Sequence, residues 1–251
     1  MGKFNKLFLD AKSSDESIKQ EAIRKINQLG YEHSLPGLIM QCIKEKNSFS
    51  LVRLGDGELA ILTQLYNSTE QVNKNYPWTR DAGYCGVSVP CPSFLKRMVN
   101  GIKNSTIVGM FENDPLNKKV FEAMNYYPEH TCGAFENLYL PMRKDFVKII
   151  REHPPILIGR RSDEYAAHFR ELFQIEVPGT IKINSFNEID DVIKKAMDIS
   201  DKWEWALVCA GANAVVIASE LDYKYGKVAL DYGHAEDNIL AKWDGYWYAT
   251  N

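Results

Sequence analysis

The sequence lacks most of the signals that would take it out of the ordinary globular class. It has no basic excess: 30 Lys and Arg against 33 Asp and Glu leave a formal charge of -3 and a pI near 6.0. That balance gives no support to a general nucleic-acid binder. No run approaches the roughly 20 apolar residues that span a bilayer, and the polar start Met1-Gly2-Lys3-Phe4-Asn5-Lys6 has no apolar signal-peptide core. Lys6 stands where a myristoylation signal wants Ser or Thr. The expectation is a cytoplasmic protein without a transmembrane segment. Close-paired cysteines are also missing: Cys42, Cys85, Cys91, Cys132 and Cys209 are scattered and odd in number, which argues for reduced thiols over disulfides or a zinc site. No internal repeat or low-complexity segment is present.

What is there suits one sizeable core. The reading is a single α/β domain over 1–251, with a helical extension at 1–47, a catalytic core at 48–240 and an aromatic tail at 241–251. Ser13-Ser14-Asp15-Glu16 has capping-box spacing, and Ile18, Ala22, Ile26 and Leu29 then recur at helical intervals up to Gly30. A second helix is predicted over 35–46. Apolar runs at 49–53, 105–111, 155–159, 180–184, 205–210 and 227–231 alternate with helical patterns. That alternation predicts a Rossmann-like open, mostly parallel sheet with helices on both faces, plus the extra N-terminal helices. Residues 67–92, broken by Pro77, Gly83, Gly86, Pro90 and Pro92, read as a long loop. Its Tyr76, Trp78, Arg80, Asp81 and Tyr84 suit stacking on a sugar or base, or packing among themselves.

The chemistry gathers where these strands end. Phe49 to Arg53 runs through Leu54-Gly55-Asp56-Gly57-Glu58 into the helical pattern at Leu59. Carboxylates two apart diverge on a helix and align on an extended segment, and Gly55 and Gly57 permit a turn that brings them together. Such a pair suits Mg²⁺ or Mn²⁺, which take one or two carboxylates and complete their shell with water and phosphate. The competing reading has Asp56 capping the helix and Glu58 in its first turn. Ligands of open sheets bind beyond the strands' carboxyl ends near a switch in strand order. Asp56, Glu58, Glu112, Asp114, Arg160, Gly211, Asp231 and His234 all follow predicted strands and are expected on one rim. His234 is a candidate phosphate-orienting group, metal ligand or base, or a hydrogen-bonded structural histidine. Gly211-Ala212-Asn213 would offer backbone N–H groups to a pyrophosphate, but the glycines of a dinucleotide fingerprint do not follow.

Taken together, Arg53-Leu54-Gly55-Asp56-Gly57-Glu58, Cys209-Ala210-Gly211-Ala212 and Leu230-Asp231-Tyr232-Gly233-His234 resemble the GT-D-type glycosyltransferases over about residues 49–238. The resemblance implies a Rossmann-like fold and hexosyl transfer from a UDP-sugar donor to a glycan or glycoprotein acceptor. It puts the family's Asp-x-Glu motif, for metal and diphosphate, on Asp56 and Glu58, with Mn²⁺ or Mg²⁺ as cofactor. Arg53, Gly55, Gly57, Arg160, Gly211, Ala212 and Asn213 then make up the expected donor-binding set. Asp56, Glu58, Asp231 and His234 are the expected catalytic residues, and Asp231 and His234 are the candidate bases, with Glu112 or Asp114 behind them. Two other readings stand beside it: an α/β transferase binding S-adenosylmethionine at the Gly211 turn, and a non-catalytic carbohydrate-binding module. The tail's Trp243, Tyr246, Trp247 and Tyr248 would stack on an acceptor, or pack on the domain or a second subunit, so a homo-oligomer is left open.

Overall fold

The computed structural model describes residues 13, 15–27, 34–111, 114–233, 235 and 237. Two helices lead, α1 (Glu16–Asn27) and α2 (Leu35–Glu45), the second capped by Ser34, whose hydroxyl accepts from the Gly37 N–H. The chain then runs β1 (Phe49–Arg53), α3 (Asp56–Leu62), α4 (Thr69–Asn75), α5 (Pro92–Asn104), β2 (Ile107–Met110), α6 (Pro115–Met124) and β3 (Thr131–Gly133). It continues through α7 (Glu136–Tyr139), α8 (Lys144–Glu152), β4 (Ile156–Gly159), α9 (Ser162–Phe173), β5 (Thr180–Ile181), α10 (Ile189–Asp198), β6 (Trp205–Cys209), α11 (Asn213–Tyr223) and β7 (Val228–Asp231).

All seven strands join one parallel sheet in the order β3-β2-β1-β7-β6-β4-β5. The open Rossmann-like architecture expected from the alternating pattern is present. Period two decides which face each side chain serves. Val52, Val108, Ile158, Val208 and Ala229 pack with α3, α5, α6, α10 and α11. Phe49, Leu51, Leu157, Leu207 and Leu230 pack on the opposite face with α8, α9 and the leading helices, through Ile39, Phe146, Phe169 and Ala22. With both faces covered, strands such as β4 are buried at every residue, which is why they read as continuous apolar runs.

The order of strands also fixes where a ligand fits. From β1 to β2 and from β6 to β7 the chain moves toward the β3 edge, whereas from β4 to β5 it moves toward the other edge. Right-handed crossovers then send α11 and α9 to opposite faces. The loops after β6 and β4 diverge, and a crevice opens between neighbouring strand ends.

Three departures from the sequence reading concern the periphery. Residues 67–92 are not one loop: they hold α4 and a 3₁₀ turn at Pro77–Arg80. Helix α4 opens with a capping box in which the Ser68 hydroxyl accepts from the Gln71 backbone N–H and the Gln71 side-chain oxygen accepts from the Ser68 N–H. Strand β3 and the helices α7 and α8 were not predicted. Among the described residues no helix is long and apolar enough to cross a membrane.

Candidate active site

Asp56 and Glu58 sit at the carboxyl end of β1, on the predicted rim, but not in extended backbone. Gly55 is the N-cap of α3, so the two acids occupy its first and third positions. The Asp56 Oδ1 accepts from the Gly57 N–H at 2.9 Å, and the Glu58 Oε2 reaches back to the Gly55 N–H at 3.0 Å. Both therefore satisfy orphan donors at a helix start, where the dipole favours anions. The expected side-by-side alignment does not arise, because two residues of helix are a little over half a turn, so the side chains diverge and each finds different neighbours.

Asp56 is exposed and its Oδ2 accepts from the Tyr84 hydroxyl at 2.6 Å. That bond, with burial second, pushes the Tyr84 phenol up to about 12, so Tyr84 remains a donor throughout the physiological range. Gly57 is buried beneath Tyr84 and Cys85. Glu58 is half-buried and faces inward. Desolvation first, then the charge of Asp231, push its carboxyl up to about 7, with the Arg53 guanidinium acting in the opposite direction.

Arg53 and Asp231 form the buried centre of this cluster, with side chains 14% and 2% exposed. The Arg53 guanidinium donates to the Asp231 carboxylate at 3.1 Å and to its backbone carbonyl at 3.1 Å. It also donates to the Ala134 carbonyl at 3.0 Å and the Asn137 side-chain oxygen at 2.9 Å, while the Arg53 backbone N–H reaches the other Asp231 oxygen at 3.2 Å. Asn137 in turn donates to the Tyr232 carbonyl at 2.6 Å. One side chain thus ties together the ends of β1 and β7 and the segment after β3. Gly233 lies directly on it: φ is +49°, and an added Cβ would fall 1.7 Å from an Arg53 nitrogen.

This latch bears on two expected roles. Asp231, an expected base, has both oxygens accepting from Arg53 and is almost wholly buried, which fits a positioning role in the latch. Arg53 is committed to the same pair and is not held out toward a diphosphate. Asp114 caps α6 by accepting from the Leu116 N–H at 2.8 Å. Glu112, His234 and the tail's Trp243 to Asn251 lie outside the described residues.

A cleft of about 190 Å³ occupies the crevice beyond β4, β6 and β7. Arg160, Gly211, Asn213 and Gly233 line it together with Tyr84 and Cys85, so the cleft meets Asp56 through Tyr84. Arg160 is exposed and makes no ion pair or hydrogen bond among the described residues. Its neighbour Arg161 is held by Glu164 and Asp237. Asn213 is 2% exposed, and its side-chain oxygen is buried without a partner among the described residues.

The Gly211 turn differs from a phosphate cradle. The Ala212 N–H donates to the Cys85 carbonyl at 2.9 Å, and the Asn213 and Ala214 N–H groups close turns onto Ala210 and Gly211. Gly211, at φ +55°, is required because a Cβ would fall 2.5 Å from that Cys85 oxygen. The turn receives the segment 82–86, which forms one wall of the cleft. Sequence reasoning missed this wall, with Tyr84 as partner of Asp56, and also missed Asn137. The aromatic content of 76–84 was the only local signal for Tyr84.

A hard divalent cation fits the donor set in a restricted form. Among the described residues no three His, Cys, Asp or Glu side chains gather around one point, but Mg²⁺ and Mn²⁺ need only one or two carboxylates. Glu58 lies within electrostatic reach of the Arg53–Asp231 pair, and its carboxyl is raised by burial first and by the Asp231 charge second, with Arg53 acting in the opposite direction. A cation held by Glu58 and the exposed Asp56 would favour the ionised form of Glu58.

A family model described as GT-D fold-like domain matches residues 32–239. Among solved structures, a chain titled "Selenomethionine substituted structure of domain of unknown function 1792 (DUF1792)" is similar at a TM-score of 0.47 and 15% identity, over 89% of this chain and 84% of that chain. No curated protein matches the chain.

Proposed function

The chain belongs to the GT-D-like domain family, and on that premise we propose that it is a metal-dependent glycosyltransferase moving a sugar from a UDP-sugar donor to a glycan or glycoprotein acceptor. The observation that carries this reading is the juxtaposition at the switch point. A cleft with Arg160, a cation unpaired among the described residues, on one wall meets, across Tyr84, the carboxylate pair at the start of α3.

A bound Mn²⁺ or Mg²⁺, held by Asp56 and Glu58, supplies Lewis-acid neutralisation of the leaving diphosphate. The chain's own residues do the rest. Arg160 attracts and orients the diphosphate, as a flexible exposed guanidinium matches phosphate oxygens in pairs. Asn213 lines the same cleft, and its buried side-chain oxygen has no partner among the described residues, a state that costs free energy until a group pairs with it. The Arg53–Asp231 latch positions the rim and sets the field at Glu58. About 190 Å³ is below the roughly 300 Å³ at which drug-sized pockets begin. The cleft therefore encloses the diphosphate and part of a sugar, and the nucleoside lies along the open rim.

With Asp231 held in the latch, His234 is the base proposed for the acceptor hydroxyl. A cytoplasmic location belongs to the same proposal. The S-adenosylmethionine alternative loses ground, because it needs the Gly211 turn open and the Cys85 carbonyl sits there. The test is release of UDP from a panel of UDP-sugars with Mn²⁺, with and without acceptor glycans. Turnover by the wild type and its loss in Asp56→Ala, with the fold retained, is expected. No release from any donor would overturn the assignment.

A further inference from the structure

Beside Asp56 an aromatic strip faces solvent. Trp78 packs edge-to-face on Tyr76 at 5.6 Å between ring centroids and on Tyr84 at 6.0 Å. Tyr66 makes no ring contact with them among the described residues but lies within electrostatic reach of Tyr76, which after burial is the second cause raising its phenol. Edge-to-face contacts leave ring surface uncovered, and Tyr66, Trp78 and Tyr84 are 41%, 39% and 49% exposed. The strip begins at the hydroxyl that holds Asp56 and runs away from the cleft, since only Tyr84 of the four lines it.

Its composition identifies the chemistry of an occupant. No aliphatic side chain is among its exposed members, and each ring carries a polar tip. The Trp78 indole N–H and the Tyr66 and Tyr76 hydroxyls make no hydrogen bond among the described residues. Ring faces bordered by unused hydroxyl and N–H groups match a sugar ring, which presents C–H faces edged with hydroxyls. Such exposed, contiguous aromatic surface marks a binding site more than a random surface feature.

We propose that Trp78 and Tyr84, with Tyr66 and Tyr76 behind them, form the acceptor platform and hold a saccharide ring face-on beside Asp56. This rests on the glycosyltransferase reading for the word acceptor, but the saccharide site itself does not depend on turnover. The strip lies on the side of Tyr84 away from Arg160, so donor and acceptor approach the same carboxylate from opposite sides.

The test separates the two claims. Wild-type protein is titrated with maltotriose, cellotriose and chitotriose, following tryptophan fluorescence and one-dimensional saccharide NMR line broadening. At least one sugar is expected to perturb both signals in the wild type. Trp78→Ala is expected to weaken that binding at least tenfold, and Trp78→Tyr to restore most of it. UDP affinity of Trp78→Ala, measured in parallel, is expected to stay within twofold of wild type. Unchanged melting of Trp78→Ala confirms that an exposed ring was removed without unfolding the chain. Absence of binding by all three sugars, or binding that survives Trp78→Ala, would overturn the platform. A selective loss of UDP affinity would also overturn it, by making the strip a base-stacking surface of the donor site. Failure of the wild type to bind UDP while the saccharide arm succeeds would instead contradict the proposed function and leave the platform standing.

Discussion

Replacing Glu58 with glutamine should make the ligand-free protein more stable at alkaline pH. The carboxyl is raised from 4.5 to about 7 in the folded chain, through desolvation and the nearby Asp231 charge. A raised acid binds its proton more tightly in the native state than in the unfolded state. Native stability is therefore highest where Glu58 is protonated in both states. It falls as pH rises from about 4.5, and the loss is complete above about 7. Each pH unit between the unfolded and folded titrations is worth about 1.36 kcal/mol, so linkage gives a loss of about 2.5 kcal/mol between pH 5 and pH 8. Glutamine carries no charge and still offers an oxygen to the Gly55 N–H, so the helix start is kept. Urea unfolding of wild type and Glu58→Gln across that range should show two curves that diverge with pH, by about 2–3 kcal/mol at pH 8. Taking the difference removes every other titrating group. A difference constant to within about 0.5 kcal/mol would show that Glu58 titrates as an ordinary surface acid. The gain in stability should accompany loss of metal-assisted UDP binding, the pattern of a site held destabilised for function.

The remaining predictions concern the latch and the cleft. Asp231→Ala leaves a buried guanidinium unpaired and should cost about 3–5 kcal/mol, a fall of roughly 10 °C in melting temperature for a chain of this size; a fall under about 3 °C would mean the pair is not buried as described. Gly233→Ala must both hold a left-handed backbone and displace Arg53, so calorimetry should show a loss of at least about 2 kcal/mol. Arg160→Ala should leave melting unchanged and weaken UDP about tenfold, with less dependence on salt than the wild type shows; equal UDP affinity would remove Arg160 from the donor site.

Much of the framework was legible in local patterns, and what was lost has a physical reason in each case. Strands β1, β4, β6 and β7 are central or near-central and buried, so their apolar runs announce them. Strand β3 is a three-residue edge strand with an exposed, half-buried, exposed pattern, and only its backbone pairing defines it. Helix α4 carried a readable capping box at Ser68 and Gln71, obscured by the prolines and aromatics after it. The candidate site's place at the end of β1 was legible because a short apolar run meets glycines and acids there. Its internal wiring was not: Arg53 meets Asp231 across 178 residues, and Tyr84 meets Asp56 across 28. The glycine at 211 was read as an opening for a ligand's phosphate, whereas the atom that approaches it is the chain's own Cys85 carbonyl. Capping and ligand binding at Asp56 and Glu58 do not exclude each other, since an anion or its counter-ion at a helix start uses the same geometry.

The proposed function stands or falls on Asp56 and Glu58 holding a divalent cation against a nucleoside diphosphate. Isothermal titration of UDP with and without Mn²⁺ tests it most directly. UDP binding at least tenfold tighter with Mn²⁺ is expected in the wild type, and the same weak affinity with or without Mn²⁺ in Asp56→Ala and Glu58→Gln. UDP binding that ignores Mn²⁺ in the wild type, or a Mn²⁺ effect that survives both substitutions, would contradict it.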